Sequence, residues 1–147
     1  TPQLAELHTT SATTVALRSF QELTQDDILF VDTTHTVRVG GEVNRIVLEV
    51  LPLLQRGVIV HFHDVFLPRE YPREWIEDHS WYWSEQYLLQ AFLAFNPTYE
   101  VLFAANAVVH SFPDRVASVV PSFTPEAVEP SDAVKPGHAA FWLRRVA

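Results

Sequence analysis

Two short apolar runs, each closed by an aspartate, constrain the fold more than any other feature. They are "DILFVD" at residues 27–32 and "VIVHFHD" at residues 58–64. A continuous apolar run of this length between polar residues reads as a strand buried on both faces. Between them, Val43, Ile46, Val47, Val50, Leu51 and Leu54 recur at steps of three and four, forming one helical stripe. Gly40 and Gly41 punctuate the approach to this helix, and Pro52 should kink or end it. The unit is therefore strand–helix–strand. A connection of about 25 residues suffices for a right-handed parallel crossover.

The remaining elements follow the same logic. Val15, Leu17, Phe20 and Leu23 mark a short helix over 14–23, and a further short helix is expected near 2–8. Residues 65–83 hold two prolines, three tryptophans and two tyrosines, too apolar for an ordinary loop and too irregular for one element. "SEQYLLQAFLAF" at 84–95 is a helix with Ser84 as N-cap, ended by Asn96-Pro97. "YEVLFAANAVV" at 99–109 and "AAFWLRR" at 139–145 are strands. Residues 111–138 are a Pro-rich loop with a short helix near 113–120. The fold class is α/β, a mostly parallel sheet of about four strands with flanking helices. The last strand is expected to be antiparallel, because no crossover helix precedes it.

At 147 residues the chain has enough length for one domain and one core. A net charge of −8 without a basic face argues against general nucleic-acid binding. With no cysteine, thiolate metal sites, disulfides and cysteine nucleophiles are excluded. Nothing in the sequence spans a membrane, and a cytoplasmic location is expected.

In open α/β sheets ligands bind beyond the carboxyl ends of the strands. Asp32 closes the first strand, with His35 in the following turn, and His63-Asp64 close the second. Neighbouring strands lie roughly 5 Å apart, so these residues would share one crevice. Carboxylates and imidazoles are ligands for a divalent cation such as Mg²⁺, Mn²⁺, Fe²⁺ or Zn²⁺. The blander reading makes Asp32 a turn or cap residue. His61 lies deeper on the strand and is expected to be structural, against a packed helix and with a hydrogen-bond partner. His8, His79, His110 and His138 have no partner pattern and read as surface histidines. Trp75, Trp81 and Trp83 form a hydrophobic cluster, a lid or wall over the crevice, or a self-association surface.

Residues 27–74, "DILFVDTTHTVRVGGEVNRIVLEVLPLLQRGVIVHFHDVFLPREYPRE", carry a D-x-x-H and an H-D motif. Together with "EQYLLQAFLAFN", "YEVLF" and "FWLRR", they resemble the C-terminal half of class I S-adenosylmethionine-dependent methyltransferases. The resemblance implies a partial Rossmann-like sheet in which 28–32, 58–63, 99–109 and 139–145 are family strands 4, 5, 6 and 7. The family order is 3-2-1-4-5-7-6, with strand 7 antiparallel. It also implies methyl transfer from S-adenosylmethionine to a small-molecule or sugar hydroxyl. By the same resemblance Asp32, His63 and Asp64 are metal ligands and His35 is the general base. A histidine with an unperturbed pKa of about 6.5 needs little tuning for that role.

The family's glycine-rich loop has no counterpart among Gly40, Gly41, Gly57 and Gly137. The chain is therefore expected to be an incomplete catalytic half that binds S-adenosylmethionine weakly or not at all. The alternative is a non-catalytic oligomerising module derived from the same fold. In either case the 28–32 strand is a bare apolar edge, to be covered by residues 1–23 or by a second copy in a homodimer. A metal-dependent hydrolase would use the same four polar residues, but no nucleophile or second-metal pattern accompanies them.

Overall fold

The computed structural model describes residues 6–125 and 138–147. A short 3₁₀ turn, Ala12–Thr14, and helix α1, Leu17–Gln21, lead into strand β1, Ile28–Val31. One continuous helical run follows: α2, Glu42–Arg45, a π-helical stretch Ile46–Val50, and α3, Leu51–Leu53. Strand β2 is Ile59–Phe62, helix α4 Arg73–Glu77 and helix α5 Glu85–Leu93. Strand β3, Tyr99–Ala104, runs directly into α6, Ala105–Ser111, followed by α7, Pro113–Val119, and strand β4, Phe141–Arg145. Residues 6–8 are not helical, and the rest of the helix expected near 2–8 lies mostly outside the described residues, as does 126–137 of the Pro-rich segment.

The sheet order is β1-β2-β4-β3. β1 and β2 are parallel, whereas β4 runs antiparallel to both of its neighbours. This mixed four-stranded α/β sheet has the order 4-5-7-6 that the resemblance implies. The last strand is antiparallel, as expected, although the segment before it contains the two short helices α6 and α7.

The helical stripe is buried throughout: Val43, Ile46, Val47, Val50, Leu51 and Leu54 all lie inside. It packs on the sheet face formed by Val31, Val60, Phe62, Phe141 and Leu143, and Leu89 of α5 joins the same cluster. Pro52 lies in the last turn of this helical run, which ends at Leu53, as expected of a residue that cannot donate to the helical ladder. The π-helical stretch immediately before α3 shifts the hydrogen-bond register so that Leu51 N–H reaches the Ile46 carbonyl.

Three expectations are corrected. β1 is buried on one face only. Leu29 and Val31 point to the helices, while Ile28 and Phe30 remain 53% and 58% exposed on the other face. The run of apolar residues hides this alternation, because both faces carry apolar side chains. Second, the described part of the 1–23 segment adds no strand to the β1 edge. Leu17, Phe20 and Leu23 pack on the core cluster, and Arg45 and Gln55 of the helical layer donate to the carbonyls of Val15 and Gln21 at 2.6 Å. Third, the strand at 99–109 stops at Ala104, whose register partner is Phe141, the first residue of β4. With no further partner strand, the alanine-rich continuation becomes helix, in keeping with its propensity. No described helix is long and apolar enough to cross a membrane.

Candidate functional site

The crossover places the ends of β1 and β2 side by side. Val31 pairs with Phe62, so Asp32 and His63 follow at the same level, and His63 N–H donates to the Val31 carbonyl at 2.9 Å. Both chains then turn sharply. His35 and Asp64 adopt positive φ values of 55° and 56°. This region is open to few non-glycine residues, with Asp, Asn and His enriched there.

The loop after Asp32 is held from two sides. From α2, Glu42 Oε1 accepts the Thr34 N–H at 3.1 Å. From α5, the N–H groups of Ser84 and Glu85 donate to the His35 carbonyl at 2.8 and 3.0 Å. A helix start has N–H groups with no intrahelical acceptor, and this loop carbonyl satisfies two of them. Ser84 stands at the N-cap position, but its hydroxyl accepts from Val37 N–H at 2.8 Å rather than capping the helix. The start of α5 is therefore fastened to the loop that carries His35.

That clasp brings in Glu85, which no sequence pattern had linked to the crevice. His35 is 4% exposed and Glu85 0%. His35 Nδ1–H donates to Glu85 Oε2 at 2.8 Å, and Thr33 Oγ1 donates to Glu85 Oε1 at 3.2 Å. On the other side of the ring, Nε2 lies 3.4 Å from Asp32 Oδ1 and 3.9 Å from Asp64 Oδ2. Burial by itself would push the His35 pKa down. The hydrogen bond and charge of Glu85, followed by the charges of Asp64 and Asp32, outweigh it and hold the pKa above 6.5. The imidazolium thus has a carboxylate near each nitrogen, hydrogen-bonded at Nδ1 and in charge contact at Nε2. Once it loses a proton, Glu85 retains Nδ1–H and Nε2 becomes the free base. This is the orientation logic of a catalytic histidine with a carboxylate behind it.

Trp83 packs on the His35 ring at a centroid distance of 4.1 Å. Trp75 lies buried behind Trp83, and Trp81 stacks parallel to it at 5.4 Å with 44% of its surface exposed. The three tryptophans thus form one cluster beside the histidine. Its inner part is a second small core with Phe66, Tyr71 and Ala139.

Asp32, His35 and Asp64 therefore come together as the spacing indicated, with His63 attached through its Nδ1, 3.1 Å from Asp64 Oδ2. The metal set of Asp32, His63 and Asp64 is not assembled: among the described residues no three His, Asp or Glu side chains form a group able to hold a metal ion. Instead, His35 Nε2 lies between the two aspartates. The described glycines do not provide a nucleotide cradle either. Gly40 and Gly41 make the turn into α2 with Arg38 packed against Gly41, and Gly57 lies at the opposite end of the sheet, before β2.

His61 departs from expectation. It is buried, but neither ring nitrogen has a hydrogen-bond partner among the described residues. It packs between Phe30 and Trp142 at 4.5 and 4.4 Å. Burial, then the nearby His63, pull its pKa below 6.5 against the weaker opposing charge of Asp32.

A family model described as a methyltransferase domain matches residues 2–65. That span contains β1, the helical run and β2, together with Asp32, His35, His63 and Asp64; Glu85 and the tryptophans lie beyond it. No curated protein and no solved structure gives a significant match.

Proposed function

Taking residues 2–65 as methyltransferase-domain sequence, we propose that the chain serves methyl transfer from S-adenosylmethionine to a hydroxyl of a small molecule or sugar. His35 is the general base. The observation that carries this reading is the line of side chains Glu85–His35–Asp32/Asp64 at the ends of β1 and β2. S-adenosylmethionine supplies the electrophilic methyl group; the residues of this chain act on the acceptor.

Neutral His35 Nε2 takes the hydroxyl proton as the acceptor oxygen becomes nucleophilic. Glu85 keeps Nδ1–H in place and stabilises the imidazolium that forms. Asp32 and Asp64 add negative potential on the Nε2 side, which favours the same charged product. Because these carboxylates raise the His35 pKa, the rate should climb with pH through a value above 6.5, as the free-base fraction grows. Trp81 and Trp83 form the wall against which the acceptor rests, suited to a molecule with an apolar flat face.

The test uses the full polypeptide that carries this sequence, with methyl-labelled S-adenosylmethionine and a panel of hydroxylated small molecules and sugars. Loss of a positioned base lowers turnover by about 10²–10⁴-fold, and His35→Ala should fall in that range. Label transfer that survives His35→Ala undiminished rules out the base assignment. Dependence on added Mg²⁺ or Mn²⁺, abolished by Asp32→Ala, would move the two aspartates from partners of His35 to metal ligands.

The assembly belongs to the same reading. Among the described residues β1 is an edge strand paired only with β2, and Ile28–Val31 carry no charge or proline to block further pairing. A second copy pairing β1 to β1 covers that edge. A monodisperse monomer by light scattering removes the dimer.

A further inference from the structure

At the opposite pole of the sheet, where β1 and β2 begin and β4 ends, lies a cavity of about 410 Å³. Its lining includes Arg56, Arg144 and Arg145 together with Asp26 and Glu100. The chain has only 10 lysines and arginines and a net charge of −8, so a convergence of three arginines is unusual for it.

These charges are poorly compensated. Arg56 is exposed and has no hydrogen bond, ion pair or ring contact among the described residues. Arg144 has Asp26 only at 4.0 Å, too far for a hydrogen bond. Glu100 is its register partner on β3 but makes no ion pair with it. Arg145 donates to Thr98 Oγ1 at 2.7 Å and packs over the Tyr99 ring, so its described partners are neutral. The Nε atoms of Arg144 and Arg145 are both buried without an acceptor. A guanidinium partly withdrawn from water without a carboxylate partner is a strong site for an oxyanion, whose paired oxygens match its fork of donors.

We propose that this cavity binds the oxyanion head, phosphate or carboxylate, of a small ligand, at a site separate from the His35 crevice. Arg56 and Arg144 are the principal contacts, and Arg145 supports them. Asp26 and Glu100 limit the choice: they disfavour further anionic groups beyond the head that the arginines hold. The ligand therefore bears its negative charge on one head group, with a neutral or cationic remainder. The proposal does not depend on the methyl-transfer reading, because none of these residues touches the crevice.

The test is calorimetric titration of the full chain with inorganic phosphate and, separately, with acetate, at constant ionic strength with chloride as the background salt. Saturable binding of either probe, with a Kd of about 1 mM or tighter, is expected. Phosphate alone points to a phosphorylated ligand and acetate alone to a carboxylate. Arg56→Gln, on an exposed loop, should fold normally and weaken binding by about five-fold or more. Asp26→Asn removes a competing carboxylate and should tighten it. Absence of saturable binding to both probes overturns the proposal. So does binding that Arg56→Gln leaves unchanged, or that Asp26→Asn weakens.

Discussion

His35 and His61 are equally buried, at 4% and 5% exposure, and lie one strand apart, yet their environments drive them in opposite directions. His35 has a carboxylate at each nitrogen and a raised pKa. His61 has aromatic rings on both sides, no hydrogen-bond partner and a lowered pKa. Burial alone disfavours the charged form of both. The difference is Glu85, a residue from a distant helix whose buried carboxylate reverses the sign at His35. A buried histidine becomes a proton-handling group only when the fold delivers a partner to it; without one it behaves as an aromatic spacer with an unmet polar demand.

Removing that partner should have the largest effect. Glu85→Ala strands His35 and leaves a hole at the start of α5. A loss of about 3 kcal/mol is expected in urea unfolding, typical of a broken buried pair. In the same variant the His35 pKa, followed by NMR, should fall below 6.5, since burial is no longer opposed by its strongest counterweight. A His35 pKa that stays raised would show that Asp32 and Asp64 suffice, and the contrast with His61 would lose its cause.

The pH dependence of stability separates the two histidines next. His35 has a raised folded pKa, so its stabilising contribution is complete below pH 6.5 and is lost as pH rises through the folded value. His61 has a lowered folded pKa. The unfolded chain therefore takes up its proton first, and stability is lost as pH falls from 6.5 towards the folded value. Unfolding free energies measured from pH 5 to 8 should show both limbs. Glu85→Ala removes the alkaline limb, and His61→Phe the acid one.

His61→Phe carries the next largest change. It replaces an imidazole with two unpartnered nitrogens by a ring of similar shape, and should stabilise the fold by about 1 kcal/mol. Destabilisation by that amount would mean that the imidazole has a polar role that its surroundings do not reveal. The smallest effect is expected at Phe30, which is more than half exposed. Phe30→Ser should cost only about 0.5–1 kcal/mol through the lost stacking on His61. Its main consequence should be a shift from dimer to monomer in light scattering.

Much of this architecture was legible from local pattern. The apolar runs at 28–31 and 59–62 became paired parallel strands, and the stripe from Val43 to Leu54 became the buried side of one helical run. Both strands end in residues suited to a crevice because a βαβ unit sets those ends side by side, so Asp32, His35 and Asp64 could be named together. What stayed hidden depended on contacts remote in the chain. Glu85 sits 50 residues from His35, on a helix whose start looked like an ordinary Ser-capped terminus. The lack of a partner for His61 and the exposure of Phe30 were equally invisible, because an alternating strand with apolar residues on both faces reads as one buried on both.

By itself, then, the sequence determined the elements, the parallel pairing of β1 and β2 and the place of the polar cluster, because hydrophobic period and strand-end chemistry are local properties. Only the tertiary structure decided how that cluster is arranged. Docking of α5 on the His35 loop supplies a third carboxylate, places the imidazole between acids where a metal triad was expected, and leaves the neighbouring histidine with none. Charge at short range inside a core depends on distances of a few ångströms, which no spacing along the chain specifies.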